Sequence, residues 1–225
     1  MDFKIRRDHG FGSDTGNFSL SISFQRLLED LSALLEREGI RVIPYKSDTL
    51  PNFHALPRNE QLDVVSTVQN YFDVLIEATS REQQIGNLST VKSMVKKLDL
   101  VPPVDFYSLI HDDHIVEVYD RNSKMIFNSA KFFRMVRYTL EEIYTVPWYD
   151  LYERDHRITE HYIEFTRMLI EHEITGVVSA LIPTHEVREL QSRLHAGKLI
   201  QPKYIAPLFD KTGAIAAFVS TFKPI

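Results

Sequence analysis

Residues 114–155 read HIVEVYDRNSKMIFNSAKFFRMVRYTLEEIYTVPWYDLYERD, and this run decides the fold. Ile115-Val116-Glu117-Val118-Tyr119 suits a strand, Asp120-Arg121-Asn122-Ser123 a turn, and Lys124 to Phe127 the returning strand. Asn128-Ser129-Ala130 leads into a helical turn carrying Phe132, Phe133 and Val136. Thr139-Leu140-Glu141-Glu142 has the form of a capping box: a hydroxyl for exposed amides and an acid three residues on to answer it. A short helix follows and stops near Pro147, and Trp148-Tyr149-Asp150-Leu151-Tyr152 adds an aromatic cluster on a short segment.

Downstream, His156 to Glu173 has the spacing of a long helix with Ile158, Tyr162, Phe165, Met168 and Leu169 inward, closed by Thr175-Gly176, where a glycine can adopt the left-handed conformation. Val177 to Ile182 reads as a third strand. Thr184 to Ala196 is predicted as a helix through Val187, Leu190 and Leu194, the alternative being a strand with a long excursion. Leu199 to Leu208 and Ala214 to Phe222 are the last two strands, joined by the turn Phe209-Asp210-Lys211-Thr212-Gly213. The class is α+β: a five-stranded antiparallel sheet with helices grouped on one face.

Upstream, residues 1–19 carry three glycines and little periodicity and read as a flexible arm. A helix is predicted over Ser23 to Glu38, with Phe24, Leu27, Leu28, Leu31, Leu34 and Leu35 three and four apart; such a seam is either core or a dimer contact. Gly39 ends it, and Ile40 to Ile43 reads as a short strand. Pro44, Pro51 and Pro57 mark a loop over 44–57. A second helix spans Asn59 to Ala78, with Leu62, Val65, Val68, Phe72 and Leu75 on one face, and Ile85 to Leu98 keeps helical spacing. Asp99-Leu100-Val101-Pro102-Pro103 breaks the pattern and divides a mainly helical segment, 20–103, from a mixed one, 104–225.

Composition narrows the function classes. A net charge of -5 over 225 residues gives no long-range attraction for nucleic acid or anionic lipid. The absence of cysteine removes disulfides, thiolate metal sites, thiol nucleophiles and cysteinyl cofactor adducts, and fits a cytoplasmic protein. There is no apolar run of about 20 residues and no signal-peptide-like start, so the expectation is a soluble chain. The sequence also lacks a glycine-framed serine, a phosphate-cradling glycine loop, an HExxH pair and EF-hand spacing, so no enzymatic reaction is expected. His111-Asp112-Asp113-His114 holds liganding atoms, but an i,i+3 pair in a loop reads as a solvated cap on the next strand, and no metal is expected.

Three features together resemble a PAS domain, the small α+β sensory module of signalling proteins. They are VEVYDRNSKMIFNSAKFF as opening hairpin and first helix, RYTLEEIYTVPWYDLYERD as helical middle, and Phe209-Asp210-Lys211-Thr212-Gly213-Ala214-Ile215 before the last strand. The family often shows a glycine-tyrosine pair, a small residue and two acids before a leucine. Here Arg137, Tyr138, Thr139, Glu141, Glu142 and Ile143 hold those places, with the glycine replaced; Lys223-Pro224-Ile225 stands where the family often has an aspartate. The resemblance covers roughly 108–225.

It implies a regulatory module that senses a small apolar or aromatic ligand. Phe132, Phe133, Met135, Trp148, Tyr152, Tyr162, Phe165 and Met168 would be the pocket wall, and His161 or His172 polar contacts; the same aromatics at helical spacing would equally fill a core. It further implies a homodimer through flanking helices, with Phe24, Leu27, Leu28, Leu31 and Leu35 as the contact, and a protein signalling partner. The alternative is a ligand-free dimerisation or docking adaptor on the same fold. No cofactor is favoured. The place from which some relatives ligate haem falls near Phe165 rather than on a histidine, and of flavin only noncovalent binding is open.

Overall fold

The computed structural model describes residues 15–80, 86–171, 173–179, 181–190 and 197–225. The first helix, α1 (Thr15–Arg37), starts eight residues before the predicted Ser23, so residues 15–19 of the expected arm are helical; residues 1–14 lie outside the described residues. Gly39 stops it at φ 73°, and the Ile40 N–H reaches back to the Leu35 carbonyl at 2.9 Å, the closing bond of a left-handed helix cap. Residues 40–43 form no strand. The carbonyls of Ile43 and Pro44 instead accept the Leu140 and Glu141 N–H groups, at 2.9 and 3.0 Å. The proline-rich stretch expected as loop contains α2 (Pro51–Ala55), with Pro51 at the first helical position where a missing donor costs nothing.

The next helix, α3 (Arg58–Ser80), matches its prediction in extent but is rotated by about one residue. Gln61, Val64, Val68, Tyr71, Val74, Leu75 and Ala78 are buried, whereas Leu62 is 50% exposed. Buried Gln61 donates to the Phe53 and Leu56 carbonyls, and this polar anchor is invisible to hydrophobic periodicity. Then α4 (Asn87–Lys97) turns at Asp99, φ 56°, into the segment predicted as a boundary. That segment is tied to the sheet by one antiparallel bridge: Val101 and Phe209 exchange both backbone hydrogen bonds, at 2.7 and 3.0 Å, and a 3-10 turn at Phe106–Leu109 follows.

The opening hairpin is β1 (Ile115–Asp120) and β2 (Met125–Asn128), its turn fastened by the Asp120 carboxylate on the Asn122 and Lys124 N–H groups. Four helices follow: α5 (Ala130–Met135), α6 (Leu140–Thr145), α7 (Trp148–Leu151) and, beyond the two-residue β3 (Tyr152–Glu153), α8 (His156–Ile170). The capping box at α6 is complete, with Glu142 N–H to Thr139 Oγ1 at 3.2 Å and Thr139 N–H to Glu142 Oε2 at 2.8 Å. Both acids are buried for structural reasons. Glu142 also takes the Lys46 ammonium, and Glu141 accepts the Asn52 and Phe53 N–H groups at the start of α2. Thr139→Ala is expected to cost about 1–2 kcal/mol in urea denaturation while Thr139→Ser costs a fraction of that, because serine keeps the oxygen.

Beyond α8, which ends three residues before Glu173 and without a left-handed glycine at Gly176, come β4 (Val178–Ser179), β5 (His185–Glu189), β6 (Lys198–Phe209) and β7 (Ile215–Pro224). β5 replaces the predicted helix. Its burial alternates residue by residue, with His185, Val187 and Glu189 inside, a period of two that the apolar spacing of Val187, Leu190 and Leu194 concealed. Residues 191–196 of that expected helix lie outside the described residues.

The described strands form one antiparallel sheet in the order β2-β1-β7-β6-β5-β3, with β4 on β6. It has seven strands rather than five, because β3 and β5 extend one edge. The class is α+β as expected. One core runs from Phe24 to Phe222 through helices and sheet alike, with Tyr71 of α3 against Phe127 of β2 and Phe133 of α5. Among the described residues no helix is long and apolar enough to cross a membrane.

Candidate functional site

A cavity of about 60 Å³ lies between α8 and one face of the sheet. The register sets its floor. Glu117 stands opposite Ser220 and Tyr119 opposite Phe218, so these four residues of β1 and β7 share a face, joined by Phe222. β6 adds Ile200, Ile205 and Lys198, and β5 adds Val187 and Glu189. The roof is Tyr162, Phe165 and Thr166 of α8, with Met135 at the end of α5, Val136 just past it, Trp148 of α7, Tyr152 of β3 and Arg154 just before α8.

Two polar groups dominate the lining. Glu117 is buried in mid-strand and accepts the Tyr119 hydroxyl at 2.6 Å. Burial pushes its carboxyl up to about 7, against the opposing pull of the Tyr119 hydrogen bond and of Arg154. Arg154 lies in a three-sided aromatic box, its guanidinium carbon 4.7 Å from the Trp148 ring centre, 5.2 Å from Tyr162 and 5.9 Å from Tyr152. Its Nε and the Tyr152 hydroxyl are both buried without a hydrogen-bond partner.

Glu189 on the lining and His185 beside it are partly engaged. Glu189 accepts the Arg137 N–H at 3.0 Å and the Lys198 ammonium at 3.3 Å. His185 has Nδ1 2.8 Å from the Pro183 carbonyl; a carbonyl can only accept, so that nitrogen carries the proton and the buried Nε2 is left as an acceptor without a partner. Burial lowers the His185 pKa, which keeps the ring neutral, 6.0 Å from Tyr162. The cavity thus combines aromatic rings, a guanidinium and a buried carboxyl on one lining.

Of the eight wall residues expected from sequence, Met135, Trp148, Tyr152, Tyr162 and Phe165 come together on this lining. Phe132, Phe133 and Met168 do not. Phe132 and Phe133 are buried in the core, the Phe133 ring 6.1 Å from Tyr71, because the N-terminal helices supply a second packing surface for α5. Met168 packs against the core beyond the cavity.

His161, expected as a polar contact, is exposed on the outer side of α8 with Nδ1 2.8 Å from the Arg157 carbonyl, one position and about 100° from inward Tyr162. His172 lies outside the described residues. No described imidazole of α8 therefore faces the cavity, and Phe165 lines it at the place expected for a haem ligand.

The dimer contact expected at Phe24, Leu27, Leu28, Leu31 and Leu35 is interior instead. Phe24, Leu28, Leu31 and Leu35 are 0% exposed, and Leu27 is partly buried against the same core. The HDDH stretch is structural: Asp112 accepts the Asn87 N–H at the start of α4, and Asp113 pairs with Lys223 of β7 at 2.7 Å. Among the described residues no cluster of three or more could hold a metal ion.

From sequence Glu117 reads, with Asp112, Asp113 and Asp120, as a solvated strand-end carboxylate; the structure buries it on this lining, where it is joined by Arg154 and Glu189, which sequence reasoning missed. Glu117 did leave a signal, an acid between Val116 and Val118 in a strand whose other residues are all apolar up to Asp120.

No family model and no curated protein sequence matches the chain. Among solved structures it is similar to a tryptophan-to-alanine variant of the PAS-B domain of Drosophila melanogaster Cycle with bound glycerol. The identity is 12% and the TM-score 0.40, over 49% of this chain and 99% of that one.

Proposed function

We propose that the chain is a PAS-type sensory module that takes a small, largely apolar ligand between α8 and the sheet and relays occupancy to its N-terminal helices. The observation that carries this reading is the cavity itself: an aromatic and aliphatic lining around two polar groups, Glu117 and Arg154, placed where a ligand would touch α8 and the sheet together. The order of elements supports it, since opening hairpin, helical middle, long helix and closing hairpin follow one another as in the family the sequence resembles.

The relay runs through α5. Met135 and Val136 face the cavity, while Phe133 of the same six-residue helix rests on Tyr71 of α3. A ligand that displaces Met135 moves Phe133 against Tyr71, and the output is a shift between two packings of α3.

Native mass spectrometry of the full chain purified from its source tests the reading. The expected result is a stoichiometric small molecule, lost on unfolding, whose removal speeds amide exchange in α8 and α5. A chain that carries nothing, with exchange in α5 unchanged by any added extract, would point instead to a ligand-free docking adaptor.

A further inference from the structure

Resting on that reading, we infer that the cavity is built for a compact apolar molecule bearing a carboxylate, with the guanidinium of Arg154 and the hydroxyl of Tyr152 as its receptors. Arg154 lines the cavity yet makes no hydrogen bond or ion pair with any described residue. An arginine held between rings and left without an acceptor is an incomplete arrangement, because its five donors match a planar carboxylate two at a time.

None of the described carboxylates bonds or ion-pairs with Arg154, although Glu117 feels its charge and Glu153, Asp155 and Glu186 share its outer groove. Glu117 is bonded to Tyr119, Glu189 to Lys198 and the Arg137 N–H, and Asp155 caps α8 through the Arg157 N–H at 2.9 Å. The Tyr152 hydroxyl is a second buried group without a partner on the same lining, and its ring is one of the three around the guanidinium. The remaining walls, chiefly Phe165, Phe218, Phe222, Ile200 and Val187, suit an alkyl or aryl body, which the cavity of about 60 Å³ admits only as the flexible Met135 side chain gives way. Arg154 also lines an outer groove with Glu153, Asp155, Thr184 and Glu186, so it stands between cavity and solvent, where it meets the charged end of an arriving acid.

A matched panel tests this by calorimetry or ligand-observed NMR on the full chain: hexanoate, benzoate and phenylacetate against hexanamide, benzamide and phenylacetamide, with phenethylammonium as the opposite charge. The acids should bind at least about tenfold tighter than their amides. Arg154→Gln should erase that preference, Arg154→Lys should keep part of it, and Tyr152→Phe should weaken the acids alone; thermal melts without ligand establish that each variant is folded. Amides that bind as well as acids would overturn the carboxylate assignment while leaving the sensory reading in place. So would a preference for phenethylammonium, which would make Arg154 a stand-in for a cationic ligand. Failure of every probe, together with a chain that carries nothing from its source, would remove both.

Discussion

Glu117→Gln is expected to make the protein more stable than wild type at pH 8 by about 3 kcal/mol, on the order of 5–10 °C in melting temperature, and to change little at pH 5. In the folded chain burial holds the Glu117 carboxyl near 7, whereas in the unfolded chain it titrates at the ordinary value of 4.5. Between those two values the folded state binds the extra proton. The stability this confers is fully present below pH 4.5 and is lost as pH rises through 7. Above that, the native state carries an ionised carboxylate in a nearly dry site, faced by Tyr119 on its own strand, Tyr152 and Arg154 before α8, Tyr162 on α8, Glu189 on β5 and Lys198 on β6. Glutamine has the same shape without the charge.

Two histidines act in the opposite sense. Burial lowers the pKa of His114 and of His185, so the stability they protect is present above 6.5 and falls away as pH drops below it. They contribute alike to both proteins and cancel in the difference. Urea denaturation of the pair at pH 5 and pH 8 reads the effect directly, and parallel pH profiles would show that Glu117 is solvated rather than buried.

The second large effect belongs to α1. Phe24→Ala should cost about 4 kcal/mol of folding stability without changing the sedimentation coefficient of the folded protein. The Phe24 ring is stacked on Phe53 of α2, centres 4.2 Å apart and planes within 16°, and both are 0% exposed. Truncation therefore leaves a cavity walled by α1 and α2, which is why the cost exceeds the transfer of the lost atoms alone. Chemical denaturation at two protein concentrations separates this from an oligomer seam. A midpoint that moves with concentration, with a small loss for the isolated chain, would return Phe24 to a contact between copies.

These two residues show what the sequence disclosed and what it withheld. Local chemistry was legible: Asp120 in the first hairpin turn, Thr139 and Glu142 at the start of α6, and Gly213 at φ 85° each bring the needed atoms within five residues. Packing direction was not. A seam of leucines in α1 is equally apolar whether it meets α2 and α3 or another copy, and only tertiary contact decides. β5 was lost for the reverse reason, since Val187 and Leu190 also fit a helix and the alternation needs inward His185 and Glu189 to be seen. Glu117 and Arg154 come from either side of α5, α6 and α7, and no local pattern announces that they share a cavity. The aromatics among which they lie were visible; that these charged groups lie buried or half-buried with them was not.

The sheet order has a kinetic side. β7, the last strand in sequence, lies between β1 and β6, with Ile115 paired to Phe222 across about a hundred residues. The two hairpins, β1–β2 and β6–β7, can each form across a short turn, but joining them closes that whole loop against its entropy. Until then β1 presents an unpaired edge and the cavity has neither Phe218 nor Ser220 for a floor. Refolding should therefore be slow for a chain this helical, with the helices forming early and the cavity appearing only in the final, sheet-closing step.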